Sequence, residues 1–405
     1  MRNYIIAWRN LWRNKRRTLI TLSSIFFGVL LAILMRSMQE GSYINMINNV
    51  VKFYSGFIQI HDKDFWENKT LYYAFQPSDS LNESVRQTEG VILMTNRLES
   101  FALIASGENT QSAVVVGIEP NHENQITSLS KWLVSGNYLV SGSRGALLAQ
   151  ELAANLHADV GDTIVLLSQG YYGSNEAQRF VIEGILSFPS PELNKKFCYL
   201  DLGTAQEFYS AEGMITSMVL MVPDYSDVNQ VLTTIRNDLD PSYAAISWDE
   251  MQPEMVQMIR GDRAGGLVMI IILYIIIAFG ILGTIIMMIA ERKKELAIMV
   301  AVGMQKNKLG GILFMETLYI GLIGVLSGII VSIPIVIIMV YNPIPLTGAA
   351  AQTMQDMGIE PLMFFSGAPD IFINQMITVF AITCLVSIYP FLSALSLNVI
   401  KWMRG

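Results

Sequence analysis

Four long apolar stretches interrupt the chain, and polar segments of very different length separate them. We place these stretches at 18–38, 265–290, 310–341 and 371–397. A helix needs about 20 mostly apolar residues to cross a bilayer. The pattern therefore predicts four transmembrane helices, with one very large polar insert between the first and the second. We interpret the first stretch as an uncleaved anchor, because no small-x-small cleavage site follows it.

The insert, residues 39–264, has a mixed pattern of short strands and helices. Segments such as "SAVVVGIEP" and "DTIVLLSQ" alternate or run apolar over strand length. Three other segments read as helices: "GALLAQELAANLH", "LGTAQEFYS" and "DVNQVLTTIRNDL". The segment that follows the first span and the segment that precedes the second also have a helical apolar period. The fold class predicted is a four-helix membrane protein with a large α+β domain carried on two stalk helices.

The placement of Lys and Arg gives the orientation, because cytoplasmic loops are enriched in positive charge. Basic residues cluster in the amphipathic segment 1–17, in the loop 291–309 and in the tail 398–405. The loop 342–370 has no Lys or Arg. We therefore expect both termini and the 291–309 loop to be cytoplasmic, and the insert and the 342–370 loop to face outward.

Charge and composition agree with this division. The chain is 52% hydrophobic and only 15% charged, against roughly 25% charged residues in an average soluble domain. Residues 39–265 carry 13 basic and 28 acidic residues, whereas the rest of the chain carries 14 basic and 6 acidic. The acidity thus belongs to the outer domain, and no nucleic-acid footprint is present.

Motifs for catalysis or metal binding are not found in the sequence. It has no P-loop, nucleophile elbow or HExxH helix. The three histidines lack ligand spacing, and Cys198 and Cys384 are expected in different environments. The glycine-rich "GDRAGG" at 261–266 is interpreted as a hinge at the membrane surface. We expect no catalytic, cofactor or metal site in this chain, and no enzyme activity of its own.

The segment 291–309 is more elaborate than a turn between two spans requires. "ELAIMVAVGM" predicts a short helix that stops at Gly303, a residue type favoured at helix C-termini. Its apolar side is too short to cross a membrane. It is suited either to lie in the membrane interface or to fill a groove on a partner protein, and its periodicity alone leaves both readings open.

The segment "ERKKELAIMVAVGMQKNKLGGILFMETLYIG" resembles the cytoplasmic loop and third span of ABC permeases of the MacB/FtsX/LolCE family. The Phe-to-Glu spacing at its end is one residue shorter than the family pattern. In the family, this loop is a coupling helix that docks on a separate ATPase. The resemblance thus implies that ATPase coupling involves these residues: Glu291, Arg292, Glu295, Ala301, Gly303 and Met304.

Other regions extend the resemblance over most of the chain. "AWRNLWRNKRRTLITLSSIFFGV" resembles the family's N-terminal segment, and "GALLAQELAANLHADVGDTIVLLS" an element of its MacB-like periplasmic core domain. "YPFLSALSLNVIKWMRG" resembles the end of the fourth span, although Val399 stands where the family has a Pro. "GFIQIHDKDFWENKTL" and "SWDEMQPEM" favour the lipoprotein-releasing LolC/LolE-like branch. The implied location is the bacterial inner membrane.

Glu316 is the single ionisable residue within the third predicted span. Such a residue is costly in a membrane helix and usually functional. We expect it to form a structural ion pair with Lys306 or Lys308 that supports the coupling loop. Gly324 and Gly328 form a GxxxG pattern suited to close helix packing.

The resemblance implies that ATP and Mg²⁺ are bound by a partner ATPase dimer, and that this chain binds no cofactor. Expected partners also include a second permease copy or paralogue, membrane lipids and a periplasmic lipoprotein carrier or adaptor. The favoured function is extraction of lipoproteins from the inner membrane. The alternatives are a MacB-like mechanotransmission exporter and an FtsX-like activator of a periplasmic enzyme. Candidate substrate-facing residues line the first two spans: Phe27, Leu31, Met35, Met269, Ile272 and Ile276.

Overall fold

The computed structural model describes residues 3–13, 15–188, 191–356 and 361–399. Parts of four predicted segments lie outside these ranges. They are residues 1–2 and 14 of the N-terminal segment, 189–190 of the insert, 357–360 of the 342–370 loop and 400–405 of the C-terminal tail. The helices, in chain order, are α1 (Asn3–Arg13), α2 (Lys15–Val50), α3 (Phe65–Asn68), α4 (Asp79–Gln87), α5 (Pro120–Thr127), α6 (Gln150–Leu156), α7 (Pro191–Lys196), α8 (Leu202–Phe208), α9 (Val228–Asp238), α10 (Trp248–Met251), α11 (Pro253–Glu291), α12 (Lys293–Ala301), α13 (Lys306–Tyr341), α14 (Ala349–Asp356), α15 (Pro369–Val386) and α16 (Ile388–Leu395).

The strands are β1 (Ile58–Asp62), β2 (Leu93–Ser106), β3 (Asn109–Ile118), β4 (Leu133–Gly136), β5 (Ala146–Ala149), β6 (Thr163–Gln169), β7 (Asn175–Leu186), β8 (Phe197–Asp201), β9 (Ser217–Met221), β10 (Tyr243–Ser247), β11 (Ile344–Pro345) and β12 (Leu362–Met363). The first ten form one sheet, and β11 pairs with β12. The chain divides into two compact units, a helical unit of 1–44, 258–345 and 362–405 and an outer unit of 45–257 and 346–361.

The helical unit contains helices that are long and apolar enough to cross a membrane. In the described part of the chain there are four such spans: Thr18–Val50, Pro253–Glu291, Lys306–Tyr341 and Pro369–Leu395. Helices α2 and α11 contain 36 and 39 residues. At 1.5 Å of rise per residue each is about 55 Å long, whereas a hydrocarbon core is about 30 Å thick. Both helices therefore extend well beyond one bilayer crossing.

Glycines on α13 let α2 approach it closely. A Cβ at Gly324 would lie 2.8 Å from side-chain atoms of Ile25, and a Cβ at Gly328 would lie 2.9 Å from Val29. Ile25 and Val29 are one helical turn apart, as are the two glycines, so a β-branched ridge fits into a glycine groove. The expectation that this GxxxG packs a neighbouring helix is confirmed.

The last span is interrupted near its C-terminal end. Helix α15 ends at Val386 and α16 begins at Ile388. Pro390 has no N–H with which to bond the carbonyl of Val386, so the regular i to i−4 ladder cannot continue here. At the break, the hydroxyl of Ser387 donates to the carbonyls of Thr383 and Cys384.

In the outer unit, strand pairing closes a ring. Around the ring, β2 pairs with β3, β3 with β8, β8 with β5, β5 with β7, β7 with β6, and β6 again with β2. Strands β9, β1 and β10 extend the sheet beyond β2. The main apolar core of this unit is built from residues of the ring strands and of α6 and α8. The fold class predicted from sequence, four membrane helices with an inserted α+β domain, is confirmed.

Two details of the predicted outer domain are wrong. "GALLAQELAANLH" was expected to be one helix, but Ala146–Ala149 is a strand and the helix begins only at Gln150. All four residues of β5 are fully buried between β7 and β8, so tertiary pairing overrides the helix propensity of Ala and Leu. The long strand Leu93–Ser106 was not predicted at all.

Candidate functional site

Helix α12 is a nine-residue element placed between two spans. Arg292 separates it from α11 with non-helical backbone angles. At its other end, the N–H of Met304 donates to the carbonyl of Met299 (3.0 Å) and that of Gly303 to Val300 (3.1 Å). Gly303 has φ +108°. This is a Schellman stop, which requires the left-handed conformation that glycine adopts without strain.

A buried ion pair fixes the start of α12 to α13. The guanidinium Nη1 of Arg292 lies 2.9 Å from Oε1 and 3.2 Å from Oε2 of Glu316. The two side chains are 6% and 4% exposed. Breaking such a pair leaves an uncompensated buried charge, so the contact locks the position of α12 relative to α13.

The same charge network reaches α1. Glu295, on the first turn of α12, lies 3.6 Å from Nε of Arg292 and forms an ion pair with Arg13. Arg13 and Glu295 are both 56% exposed, so solvent screens their attraction and it contributes little to stability. Further along α1, the Trp8 ring meets the Tyr319 ring edge-on at 5.8 Å, which packs α1 against α13.

The two sides of α12 differ in exposure. Leu296 and Ala297 are fully buried, and Leu296 belongs to the apolar core of the helical unit. Ile298 is 53% exposed and Val302 is 83% exposed, and the exposed Lys294 lies one turn before Ile298. The helix thus presents an apolar stripe with a cationic edge outward, while its inner side is held by packing and by the Arg292–Glu316 pair.

The residues predicted for ATPase coupling occupy both sides of this element. Glu291, Glu295, Ala301 and Gly303 are exposed. Arg292 is buried, so it can act on coupling only by holding α12 to Glu316 on α13. Met304 is half-buried and packs against the apolar core of the helical unit.

The expected partner of Glu316 was wrong. Lys306 and Lys308 are exposed at the first turns of α13. They precede Glu316 by ten and eight residues, which is about 12–15 Å of helical rise. Arg292 fills the role instead, because the turn after α11 brings its long side chain to the carboxylate. Arg13 was also missed, since no sequence spacing connects it to Glu295.

The candidate substrate-facing residues lie on α2 and α11, along the apolar length of the spans. Most of them are exposed in the single chain, with values between 48% and 61%: Phe27, Leu31, Met269, Ile272 and Ile276. Met35 is half-buried. A Cβ at Gly28 would lie 2.6 Å from the Ile277 side chain. The two helices therefore touch directly beside Phe27 and Ile276, and the exposed side chains flank that contact.

A polar cluster that sequence reasoning did not find joins the C-terminal third of α2 to the N-terminal third of α11. The Tyr43 hydroxyl donates to Oδ2 of Asp262 (2.6 Å), and Arg263 pairs with Glu40 at 3.0 Å. The expectation of a hinge in "GDRAGG" is wrong, because α11 runs as one helix through this segment. Its polar residues are contact groups for the neighbouring helix.

Within the described ranges, no cluster of His, Cys, Asp and Glu has the arrangement to hold a metal ion. The geometry defines a class: a membrane helix bundle with a large inserted α+β domain and a short helix, held by a buried ion pair, between two of its spans.

Two family models match the chain. The model of the MacB-like periplasmic core domain covers residues 18–238, and that of the FtsX-like permease C-terminal region covers 267–399. Since the first spans more than half of the chain, the chain belongs to the FtsX-like permeases with a MacB-like periplasmic core domain, which are permease subunits of ABC transporters.

Curated relatives carry lipoprotein-release names. The chain is 28% identical over 243 residues to the lipoprotein-releasing system transmembrane protein LolC of Xylella fastidiosa, covering 58% of each chain. A LolC of Neisseria meningitidis is 17% identical over 78% of this chain and 76% of its own length. A LolE of Haemophilus influenzae is 23% identical over 57% of each. The match thus spans less than two thirds of the Xylella relative's length.

Two solved structures are similar to parts of the chain. One is the extracellular domain of the noncanonic ABC-type transporter YknZ from Gram-positive bacteria, with 11% identity and a TM-score of 0.35 over 47% of this chain and all of that chain. The other is the periplasmic region of MacB from Actinobacillus actinomycetemcomitans, with 13% identity and a TM-score of 0.35 over 51% of this chain and 95% of that chain. The chain is assigned to its family by the two family models and not by these structures.

Proposed function

We propose that this chain is the permease subunit of an ABC transporter that extracts lipoproteins from the bacterial inner membrane. The observation that carries the proposal is helix α12, which is locked to α13 by a buried ion pair and exposes an apolar stripe. The names of the curated relatives support lipoproteins as the cargo.

In this proposal both termini and α12 face the cytoplasm, and the outer unit faces the periplasm. The positive charges at 9–17 and 292–308 and the absence of Lys and Arg from 342–370 support this orientation. It brings α12 to the side of the membrane where ATP is available.

The energetic demand on such a transporter is large. Removing an acyl chain from a bilayer costs about 0.8 kcal/mol per CH₂, so a triacylated lipoprotein would need roughly 30 kcal/mol or more if its chains met water. We assign the energy source to a partner ATPase dimer, which would bind ATP and Mg²⁺. Because a second ATPase monomer needs a second coupling helix, we also propose a second permease copy or a paralogue.

Docking of α12 in a groove of the ATPase would bury Ile298 and Val302. Movement of the ATPase would then be transmitted through Arg292 and Glu316 to α13, since a buried ion pair resists displacement. We further propose that α2 and α11, which extend beyond one bilayer crossing, pass this motion to the outer unit, and that a periplasmic carrier or adaptor receives the lipoprotein.

The exposed apolar residues of α2 and α11 would shelter the acyl chains. The test is photo-crosslinking in proteoliposomes, with a photoreactive amino acid at Phe27 or Met269 and a matched one at Ile330, which is 67% exposed on α13. We expect lipoprotein adducts from the first two positions during ATP turnover and few from the third. Adducts at Ile330 alone, or at none of the three positions, would contradict the proposed path.

A second candidate is a MacB-like exporter that drives periplasmic substrates outward. The match of the MacB-like core domain over residues 18–238 favours it. The crosslinking experiment distinguishes this candidate from lipoprotein release. A soluble periplasmic substrate would not enter the apolar span, so it should give no adducts at Phe27 or Met269.

A further inference from the structure

Helix α1 is attached to the rest of the helical unit along one side only. Ala7 and Leu11 are buried, and Leu11 belongs to the apolar core of that unit. The hydroxyl of Thr18, on the first turn of α2, donates to the carbonyl of Leu11 at 2.9 Å and ties the two helices together at their corner. Residues 4–6, 8–9 and 12–13 of α1 are exposed, and Asn10 is half-buried. The helix is thus held in place while most of its surface stays uncovered.

One sector of the uncovered surface is aromatic and apolar. An α-helix turns by about 100° per residue, so Tyr4, Trp8 and Trp12 lie one above the other along one side, and Ile5 lies next to Trp12. Trp8 is 45% exposed and Trp12 is 54% exposed, although their rings also contact each other at 6.2 Å. Trp and Tyr have an apolar ring and a polar group, and they are enriched where hydrocarbon meets water at a membrane surface.

The neighbouring sector is cationic. Arg9 follows the aromatic sector around the helix, and Lys15 and Arg16 continue the positive charge at the start of α2. These three side chains are exposed and form no hydrogen bond or ion pair among the described residues, whereas Arg13 is paired with Glu295. Residues 1–17 contain six basic residues and no acidic one. This surface therefore has positive charge that the segment itself does not neutralise.

The position of α1 in the chain brings it to the membrane boundary. The helix ends at Arg13, and the apolar first span begins at Thr18, three residues into α2. Two linking residues and one helical turn cover at most about 12 Å. The C-terminal end of α1 therefore lies within the depth of a lipid headgroup layer from the start of the span, since the polar layers add several ångströms on each side of the hydrocarbon.

We propose that the exposed side of α1 binds anionic phospholipids, with Trp8 and Trp12 at the edge of the hydrocarbon and with Arg9, Lys15 and Arg16 against the lipid phosphates. Basic amphipathic helices with aromatic residues bind membrane surfaces in this way. Guanidinium groups also pair well with phosphate, because two N–H groups can donate to two phosphate oxygens.

The same chemistry predicts which lipid is preferred. Phosphatidylcholine has a phosphate too, but its choline group cancels the charge, so phosphatidylglycerol should bind more tightly. The inference rests on the membrane spans and on the contacts of α1. It depends neither on the proposed cargo nor on the side of the membrane that α1 occupies.

The experiment uses the full chain in phosphatidylcholine bilayers that contain increasing amounts of brominated phosphatidylglycerol or of brominated phosphatidylcholine. Bromine on an acyl chain quenches Trp fluorescence at short range, so the two titrations give the relative binding constant of the two lipids near each Trp. The chain has six Trp residues, and the variant Trp8→Phe with Trp12→Phe gives the background signal of the others. One cation near an anionic lipid contributes about fivefold, so we expect phosphatidylglycerol to be favoured at α1 by about fivefold or more.

Two double variants of equal charge test whether α1 is the site. Arg9→Gln with Arg16→Gln should reduce the preference for phosphatidylglycerol to about twofold or less. Lys306→Gln with Lys308→Gln removes the same charge from exposed positions on α13 and should leave the preference unchanged. The proposal is overturned if neither brominated lipid quenches Trp8 and Trp12, as would happen if a protein covered α1. It is also overturned if wild type shows no preference, or if the two double variants lower it equally.

Discussion

At the residue scale, the strongest structural constraint near α12 is the Arg292–Glu316 pair. It sits at 6% and 4% exposure, where the attraction is little screened and an unmatched charge is costly. The sequence correctly singled out both residues, but it did not connect them. Pairing depends on how the turn after α11 folds back, and no spacing rule covers residues that are 24 positions apart on different helices.

The pair should respond differently to single and double replacement. Glu316→Leu leaves Arg292 buried without a partner, so we expect the free energy of unfolding to fall by about 3–5 kcal/mol. The double variant Arg292→Met with Glu316→Leu removes both charges and should recover most of that loss. Thermal unfolding in detergent measures the stability of the single and the double variant. The exposed Glu295→Leu is the control, with a change of about 1 kcal/mol or less. A double variant as unstable as the single one would refute the charge argument.

Because of the buried His61, the stability of the outer unit should decrease as the pH falls. Burial holds the pKa of His61 at about 4 in the folded chain, below the ordinary value of 6.5 for an exposed imidazole. As pH falls from about 6.5 to about 4, the unfolded chain takes up a proton that the folded chain refuses, so stability decreases over this window, by up to about 3 kcal/mol. Below that window the contribution is lost.

The measurement compares unfolding as a function of pH for wild type and His61→Gln, with the exposed His122→Gln as control. The loss of stability between pH 6.5 and 4 should be smaller in His61→Gln and unchanged in His122→Gln. Equal slopes in all three proteins would show that His61 does not titrate as its burial requires.

At the element scale, apolar length located the membrane helices well, while alternation located the strands less well. Four spans and several strands follow from pattern alone, because the bilayer and a half-buried sheet each impose a simple period. Strand β5 did not follow, since its residues are buried on both faces and carry no alternation. Strand β2 mixes exposed apolar and buried polar positions, among them Phe101 and Arg97, which obscures its period.

Helix α12 makes a prediction of its own. Ile298 and Val302 are exposed and hold nothing within the described chain that their truncation would unpack. In the double variant Ile298→Ser with Val302→Ser, we expect unchanged thermal stability and at least about tenfold weaker binding of the ATPase, since burying each aliphatic side chain contributes about 1.5–3 kcal/mol.

The affinity is measured by titrating the purified ATPase onto the chain in nanodiscs. Leu296→Ser, on the buried side of the same helix, serves as the contrast and should lower stability. Undiminished ATPase binding by the double variant would exclude this stripe as the docking surface.

At the scale of the whole molecule, the proposed function couples ATPase docking at α12, on the proposed cytoplasmic side, to movement of the α+β domain on the proposed periplasmic side. The family and the fold class were predictable, because composition, charge placement and the "ERKKELAIMVAVGM" segment all converge. The contacts between α2 and α11, and the cavity lined by the segment after α2 and the segment before α11, were not predictable. They bring together residues far apart in the chain, such as Tyr43 with Asp262 and Tyr54 with Met251.

The most direct test of the central claim is ATP-dependent release of a triacylated lipoprotein from proteoliposomes that contain this chain and its ATPase. Wild type should release lipoprotein to a soluble carrier only with ATP, and Ile298→Ser with Val302→Ser should reduce release by about tenfold or more while the protein stays folded. Absence of ATP-dependent release in wild type, or full release by the double variant, would contradict the account.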